Sequence, residues 1–238
     1  FSLEGEWLHL DPDGRPSRTG FGNLEVSLKY QFFRSDPHET ILSLALGWEV
    51  GGTGRKAVGA ESFSVLKPAL FFGKGFGDLP DGLSFLRPVA VTGLVGAKIP
   101  TRSRTRTVHI EFDPDTGEFE VEEEIERHPN IFTWGFVVEY SIPYLQSFVK
   151  DIGLPAPFSR MIPLVELSFD SPLDRGGGKT TGTVNPGIIW AGKFLQLAIE
   201  AVVPINEATG KNIGVRGMLH FYLDDLLPRS LGRPLLGR

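Results

Sequence analysis

Hydrophobic and polar residues alternate along most of this chain. Residues 24–33 place Leu24, Val26, Leu28, Tyr30 and Phe32 on one face and Glu25, Ser27, Lys29 and Gln31 on the other. A period of two marks a strand with one apolar and one polar face. Residues 41–50 repeat it, with Leu42, Leu44, Leu46, Trp48 and Val50 against Ser43, Ala45, Gly47 and Glu49. Residues 131–142, 194–203 and 213–223 do the same, for example Leu195, Leu197, Ile199, Ala201 and Val203 against Gln196, Ala198 and Glu200. Weaker alternation over 1–10, 62–73, 84–98, 161–170 and 180–190 brings the expectation to about ten strands of roughly ten residues, enough to cross a bilayer when tilted and about twice the usual soluble length.

The connections alternate too. Tight turns are expected at 34–38 and 191–193, and longer polar or Gly-rich loops at 51–60, 99–130 and 204–212. Long loops on one side and short turns on the other are the habit of outer-membrane barrels. An even count puts both termini on the short-turn side and closes the sheet. The predicted fold is therefore all-β: an antiparallel up-and-down transmembrane β-barrel forming one domain over 1–223, with a periplasmic tail over 224–238.

Two segments depart from the pattern. Segment 99–130 reads as a hairpin around the turn Asp113-Pro114-Asp115-Thr116-Gly117, with Arg106 facing Glu124 and Arg104 facing Glu126. Its polarity suits water, so it is expected as an extracellular extension; the alternative is a twelve-stranded barrel. In 143–158, Tyr144, Leu145, Phe148, Val149 and Ile152 fall at helical spacing between Pro143 and Pro155. This predicts either a short amphipathic helix or an ordered long turn.

Composition narrows the chemistry. With 29 Gly and 18 Pro the chain favours turns over long helices. The absence of Cys excludes disulfides, thiolate metal sites and a Cys nucleophile. A net charge of −5 gives no basic footprint, so nucleic acid is not an expected partner. No apolar run approaches the ~20 residues of a spanning helix. The sequence opens on Phe1 with no leader-like stretch, as expected of a processed exported chain or any trimmed one.

In a barrel the apolar faces meet lipid. Trp7, Tyr30, Trp48, Trp134, Tyr140 and Trp190, with Tyr144, are then expected in the aromatic girdles at the membrane interfaces. A soluble β-sandwich, the alternative, would bury them in its core. The polar faces would line the lumen with Glu25, Lys29, Glu49, Lys67, Arg87, Glu139, Glu166, Asp170, Gln196, Glu200, Arg216 and His220. Charges in so narrow a bore must pair or stay hydrated. They form either an ion-pair plug or a polar conduit that selects its solute. Phe63, Val65, Phe71, Phe85, Val89 and Val91 are candidates for a greasy lateral opening.

No enzyme signature emerges, and the protein is not expected to be an enzyme. His109, His128, Asp113 and Asp115 in the outer hairpin could form a rim acid–base set, but a solvated loop explains them as well. His9 or His220 with Ser27, Ser43 or Ser168 lacks any nucleophile motif. The five His are dispersed, and Glu122, Glu123 and Glu124 read as a solvated run. Gly176–Thr181 lacks phosphate-loop spacing. No catalytic residue, metal or cofactor is expected.

Three stretches carry a resemblance. The first runs from Leu86-Arg87-Pro88 to Ile99-Pro100-Thr101-Arg102-Ser103. The second is Ser141-Ile142-Pro143-Tyr144-Leu145-Gln146-Ser147. The third is Asn185-Pro186-Gly187-Ile188-Ile189-Trp190-Ala191-Gly192-Lys193 with Gln196, Glu200, Pro204 and Asn206, closing on residues 220–228. From about residue 20 onward the chain resembles a family of Gram-negative outer-membrane barrels grouped with the "MetA-pathway of phenol degradation" transporters. The resemblance implies a barrel in the bacterial outer membrane that passes small solutes, apolar or aromatic compounds among them, and it brings no catalytic residues. One departure is that many outer-membrane barrels end on an aromatic within the last strand, whereas a tail follows here. The expected function is a passive channel or transporter whose partners are the lipid bilayer and a small-molecule solute. The alternatives are a sealed barrel whose hairpin binds a partner and, more distantly, an outer-membrane hydrolase.

Overall fold

The computed structural model describes residues 1–10, 16–112, 119–174 and 177–227, with backbone alone for 109–112, 119–122 and 223–224. In chain order its strands are β1 (Ser2–Glu4), β2 (Trp7–Leu10), β3 (Arg18–Phe21), β4 (Leu24–Ser35), β5 (Thr40–Val50), β6 (Val65–Gly75), β7 (Val89–Pro100), β8 (Arg104–Phe112), β9 (Phe119–Arg127), β10 (Ile131–Tyr140), β11 (Met161–Pro172), β12 (Thr181–Ala191), β13 (Leu195–Pro204) and β14 (Gly214–Phe221).

Ten of these form one antiparallel sheet in the order β1-β4-β5-β6-β7-β10-β11-β12-β13-β14. Every neighbour pair is antiparallel, so the sheet is an up-and-down meander. The ten strands are those expected from alternation. Among the described residues β1 and β14 stand at opposite edges of the sheet and are not paired with each other.

Register turns ten local alternations into two continuous faces. Leu28 faces Leu46, Leu44 faces Leu70, and Leu70 faces Val95. Further along, Val95 faces Trp134, Val138 faces Val165, Ile188 faces Ile199 and Leu197 faces Leu219. A one-residue slip would send each side chain to the opposite face, so the pattern excludes every odd shift of register. Among the described residues the buried apolar side chains are few: Val58, Phe63, Leu164 and Pro88. Leu44, Ile199 and Leu219 are each more than half exposed, at 55%, 56% and 56%. The described residues provide no second sheet over the apolar face. The remaining strands form two-stranded ribbons, β2–β3 and β8–β9.

Several expectations change. The expected strand over 1–10 splits after Glu4. Trp7–Leu10 instead pairs with Arg18–Phe21, Trp7 opposite Phe21 with rings 4.6 Å apart. The stretch 84–98 begins with a helical turn, Asp81–Leu86, and the strand starts only at Val89. The outer hairpin forms, but one residue out of the expected register: Arg104 faces Arg127 and Arg106 faces Ile125. Arg106 still reaches a carboxylate, pairing diagonally with Glu123. The hairpin joins none of the ten strands, so the twelve-stranded alternative does not hold for the main sheet. Segment 143–158 contains both predicted forms. A helical turn, Ile142–Tyr144, capped by Ser141, widens through Leu145–Val149 and then becomes a loop held by Gln146 to Leu154. Strand β14 ends on the aromatic Phe221 and a helical turn, Leu223–Leu226, follows. The turn at 113–117, the side chains of His109 and Glu122, Gly176 and the tail beyond 227 lie outside the described residues.

Loop lengths sort less cleanly than the sequence suggests. One side carries 51–64, the hairpin, 173–180 and 205–213. The other carries 36–39 and 192–194, together with the longer 76–88 and 141–160.

Candidate functional site: the polar face of the sheet

The polar face carries a series of ion pairs, some between neighbouring strands and others reaching over one or two intervening strands. Lys67 on β6 lies between Glu25 on β4, at 2.7 Å, and Glu49 on β5, at 2.8 Å. Asn23 also donates to Glu49. Lys98 on β7 reaches over β10 to Asp170 on β11 at 2.6 Å, where Thr133 donates from β10 at 2.7 Å. Arg216 on β14 binds Glu200 on β13 at 2.6 Å and Glu166 on β11 at 3.0 Å. These side chains are partly exposed, so each pair contributes roughly 0–1 kcal/mol. Their consequence is electrostatic and positional more than stabilising.

Glycines open the lanes that these bridges cross. Gly47 lies opposite both Ser27 and Lys67, and a β-carbon there would come 2.8 Å from Glu25 Oε1. Gly187 lies opposite Glu200, and a β-carbon there would come 2.4 Å from Glu200 Cγ.

Cavities follow the same face. One of about 400 Å³ is lined by Lys29, Ser43, Phe71, Thr92, Leu94 and Glu166, among others. A second of about 280 Å³ shares Phe71, Leu94 and Thr133 with it and includes Lys67 and Lys98. A third, of about 700 Å³, meets the second at Glu4, Glu25 and Lys67. A fourth of about 300 Å³, under the outer loops, meets it at Lys67 and Lys98. The Lys67 cluster therefore sits where three cavities join.

The other predicted lining residues fare differently. Lys29 has no carboxylate partner among the described residues, and its ammonium lies 4.0 Å from the centre of the Phe71 ring. Glu139 lies on the same face, opposite Ala90 and Leu164, with no hydrogen-bond or ion-pair partner among the described residues. Gln196 and His220 face each other across β13 and β14. Arg87 is a correction. It lies before β7, not on it, pairing with Asp81 at 2.8 Å and donating to the Leu79 carbonyl. The strand begins later than expected because Pro88 and the helical turn before it interrupt the ladder.

Of the six residues proposed for a greasy opening, Val65 and Phe71 share the polar-face register. Val89 and Val91 lie on the apolar face, opposite Tyr140 and Val138. Phe63 is buried in the loop, its ring 4.2 Å from that of His128. Phe85 lies in the helical turn, where Tyr140 donates to its carbonyl. The six do not form one surface.

Four of the six expected interface aromatics fall at two levels, whereas Tyr30 lies in the middle of β4 opposite Leu44. Trp48 and Trp134 lie toward the long-loop ends of their strands, and Tyr140 and Trp190 lie at the opposite ends. Trp134 stacks on Phe169 at 4.3 Å. Tyr30, on β4, is largely exposed. Trp7 is a correction: it belongs to the separate β2–β3 ribbon.

Two features were not legible in the sequence. Asn185, opposite Glu166, is only 1% exposed, and its amide oxygen has no partner among the described residues. Glu61, Glu126 and His128 bring potential ligand atoms within 4.8 Å of one another at the base of the hairpin. They come from a loop and a distant strand end, so spacing gives no hint of the group. His9 bonds Thr19, and neither His9 nor His220 hydrogen-bonds a serine among the described residues. A scan against protein-family models matches none, and a search of curated proteins finds no significant match.

Proposed function

We propose that the chain is an outer-membrane β-barrel acting as a passive conduit for small solutes. The observation that carries this reading is the apolar face. It is continuous over the long strands, and Leu44, Ile199 and Leu219 stand more than half exposed on it. Each such half-exposed side chain left in water forfeits on the order of 1 kcal/mol relative to an apolar environment, which a hydrocarbon layer provides. The two levels of Trp and Tyr support the same orientation. Closure has a consistent geometry as well. Counting along the meander, β4 and β14 run parallel and β1 runs opposite to both, so a β1–β14 contact would complete an all-antiparallel ring. The joined cavities on the polar face would be its lumen.

Liposome swelling tests the conduit. Vesicles containing the refolded protein should admit small sugars or amino acids faster than protein-free vesicles. No permeability to any small solute would remove this function.

The free-standing β8–β9 ribbon favours a second reading, in which the barrel is sealed and the hairpin binds a partner. Deleting 102–128 separates the two. Unchanged solute flux in the deletion variant assigns transport to the sheet, whereas lost surface binding in a protein that never conducted assigns function to the hairpin.

A further inference from the structure

We infer that the conduit prefers cations, and that the surplus negative charge of its polar face, from the two clamps Glu25–Lys67–Glu49 and Glu166–Arg216–Glu200 together with Glu139, sets this preference. The inference rests on the conduit reading above and names its solute class. In each clamp one cation is shared by two carboxylates, leaving one surplus negative charge at neutral pH. The Lys98–Asp170 pair between them is balanced. Glu139 adds a carboxylate without a partner among the described residues, and Glu4 and Glu61 line the cavities as well; against them stand Lys29, which no carboxylate neutralises among the described residues, and Arg127 in the fourth cavity. The surplus is therefore negative, and it is concentrated at identifiable places along the path. The Lys67 clamp lies at the junction of three cavities, so a solute entering from the long-loop side passes it. The Arg216 clamp contributes Glu166 to the wall of the 400 Å³ cavity beyond.

Charge of one sign in a narrow bore with low-dielectric walls raises the local concentration of counter-ions. The clamped geometry matters because the lysine and arginine are held by their acids and cannot turn toward a passing anion. Small inorganic and organic cations are thus the class the path favours. Phe71, which already takes the Lys29 ammonium on its ring face, offers an aromatic surface of the kind that stabilises them.

The test is a reversal potential in a planar bilayer at about pH 8 with a roughly tenfold KCl gradient. The expected permeability ratio favours K⁺ over Cl⁻ by roughly threefold or more. Glu139→Gln should lower this ratio and Lys29→Gln should raise it. Neither substitution breaks a clamp, so both variants should still assemble, and an unchanged heat-shifted electrophoretic mobility would show that they have. Conductance with no preference, or with a preference for Cl⁻, overturns the inference and leaves the conduit standing. Opposite or absent shifts in the two variants also overturn it. No conductance from the wild type, in membranes where a known porin conducts, overturns the conduit and the inference together.

Discussion

Gly187 and Glu200 face each other across β12 and β13 so closely that a β-carbon on residue 187 would lie 2.4 Å from Glu200 Cγ and 2.8 Å from the Ile199 carbonyl oxygen. The space left by this glycine is where Glu200 lies as it binds Arg216. Gly187→Val should cost about 1–3 kcal/mol, because backbone as well as a side chain must move. Gly47→Ala meets mainly the mobile end of Glu25 and should cost less than about 1 kcal/mol. Urea unfolding in detergent micelles measures both, and equal costs would contradict this account of the clamps.

The two faces of β13 should respond differently to the same charge. Ile199 points to the apolar face and Gln196 to the polar face. Ile199→Arg should cost about 2–4 kcal/mol of folding stability in a bilayer, as a cation near mid-depth on a lipid-facing surface does. Gln196→Arg should cost little and alter selectivity instead. Folding titrations into phosphatidylcholine vesicles check the pair.

In the connection after β6, Asp78 accepts from Lys74 at 2.9 Å and lies 3.2 Å from His38. The Lys74 ammonium first, and then His38, hold its carboxyl below the ordinary Asp value. A depressed carboxyl contributes stability that is fully present above the unfolded-state value of about 3.9 and is lost as pH falls through the lower folded value. Amide hydrogen exchange over 76–79 should therefore accelerate below about pH 4 after correction for intrinsic rates. Asp78→Asn should remove that extra pH dependence, and an identical profile in the variant would contradict the assignment.

Much of the sheet was legible because register and pattern carry the same information. Once Leu28 must share a face with Leu46, and Leu46 with Pro68, every odd shift between β4, β5 and β6 is excluded. The lumen candidates Glu25, Lys67, Glu166 and Arg216 followed from parity alone. Their grouping did not, because a bridge such as Glu166 to Arg216 spans fifty residues of sequence, and its companion Glu200 lies in the space that Gly187 leaves. Strand starts were also poorly marked. Gly5 separates two short extended pieces, and the second leaves the main sheet to pair with the distant residues 18–21, Trp7 opposite Phe21. Arg87 was misplaced for a similar reason: Leu86 and Val89 are both apolar, and alternation alone does not distinguish a helical turn from the start of a strand. In the outer hairpin, charge pairing suggested a register that differs by one from that of the backbone ladder. Arg106 is long enough to reach Glu123 on the diagonal, so charge alone did not determine the register.

The central claim is that hydrocarbon covers the apolar side of the sheet. The chain has no native Cys, so nitroxide labels can be placed one at a time along residues 195–201 of β13. Electron paramagnetic resonance in lipid vesicles then compares collision with oxygen and with a water-soluble nickel chelate. The account predicts a period of two: oxygen contact at 195, 197, 199 and 201, and nickel contact at 196, 198 and 200. Nickel access at Leu197→Cys and Ile199→Cys equal to that at Gln196→Cys would contradict it.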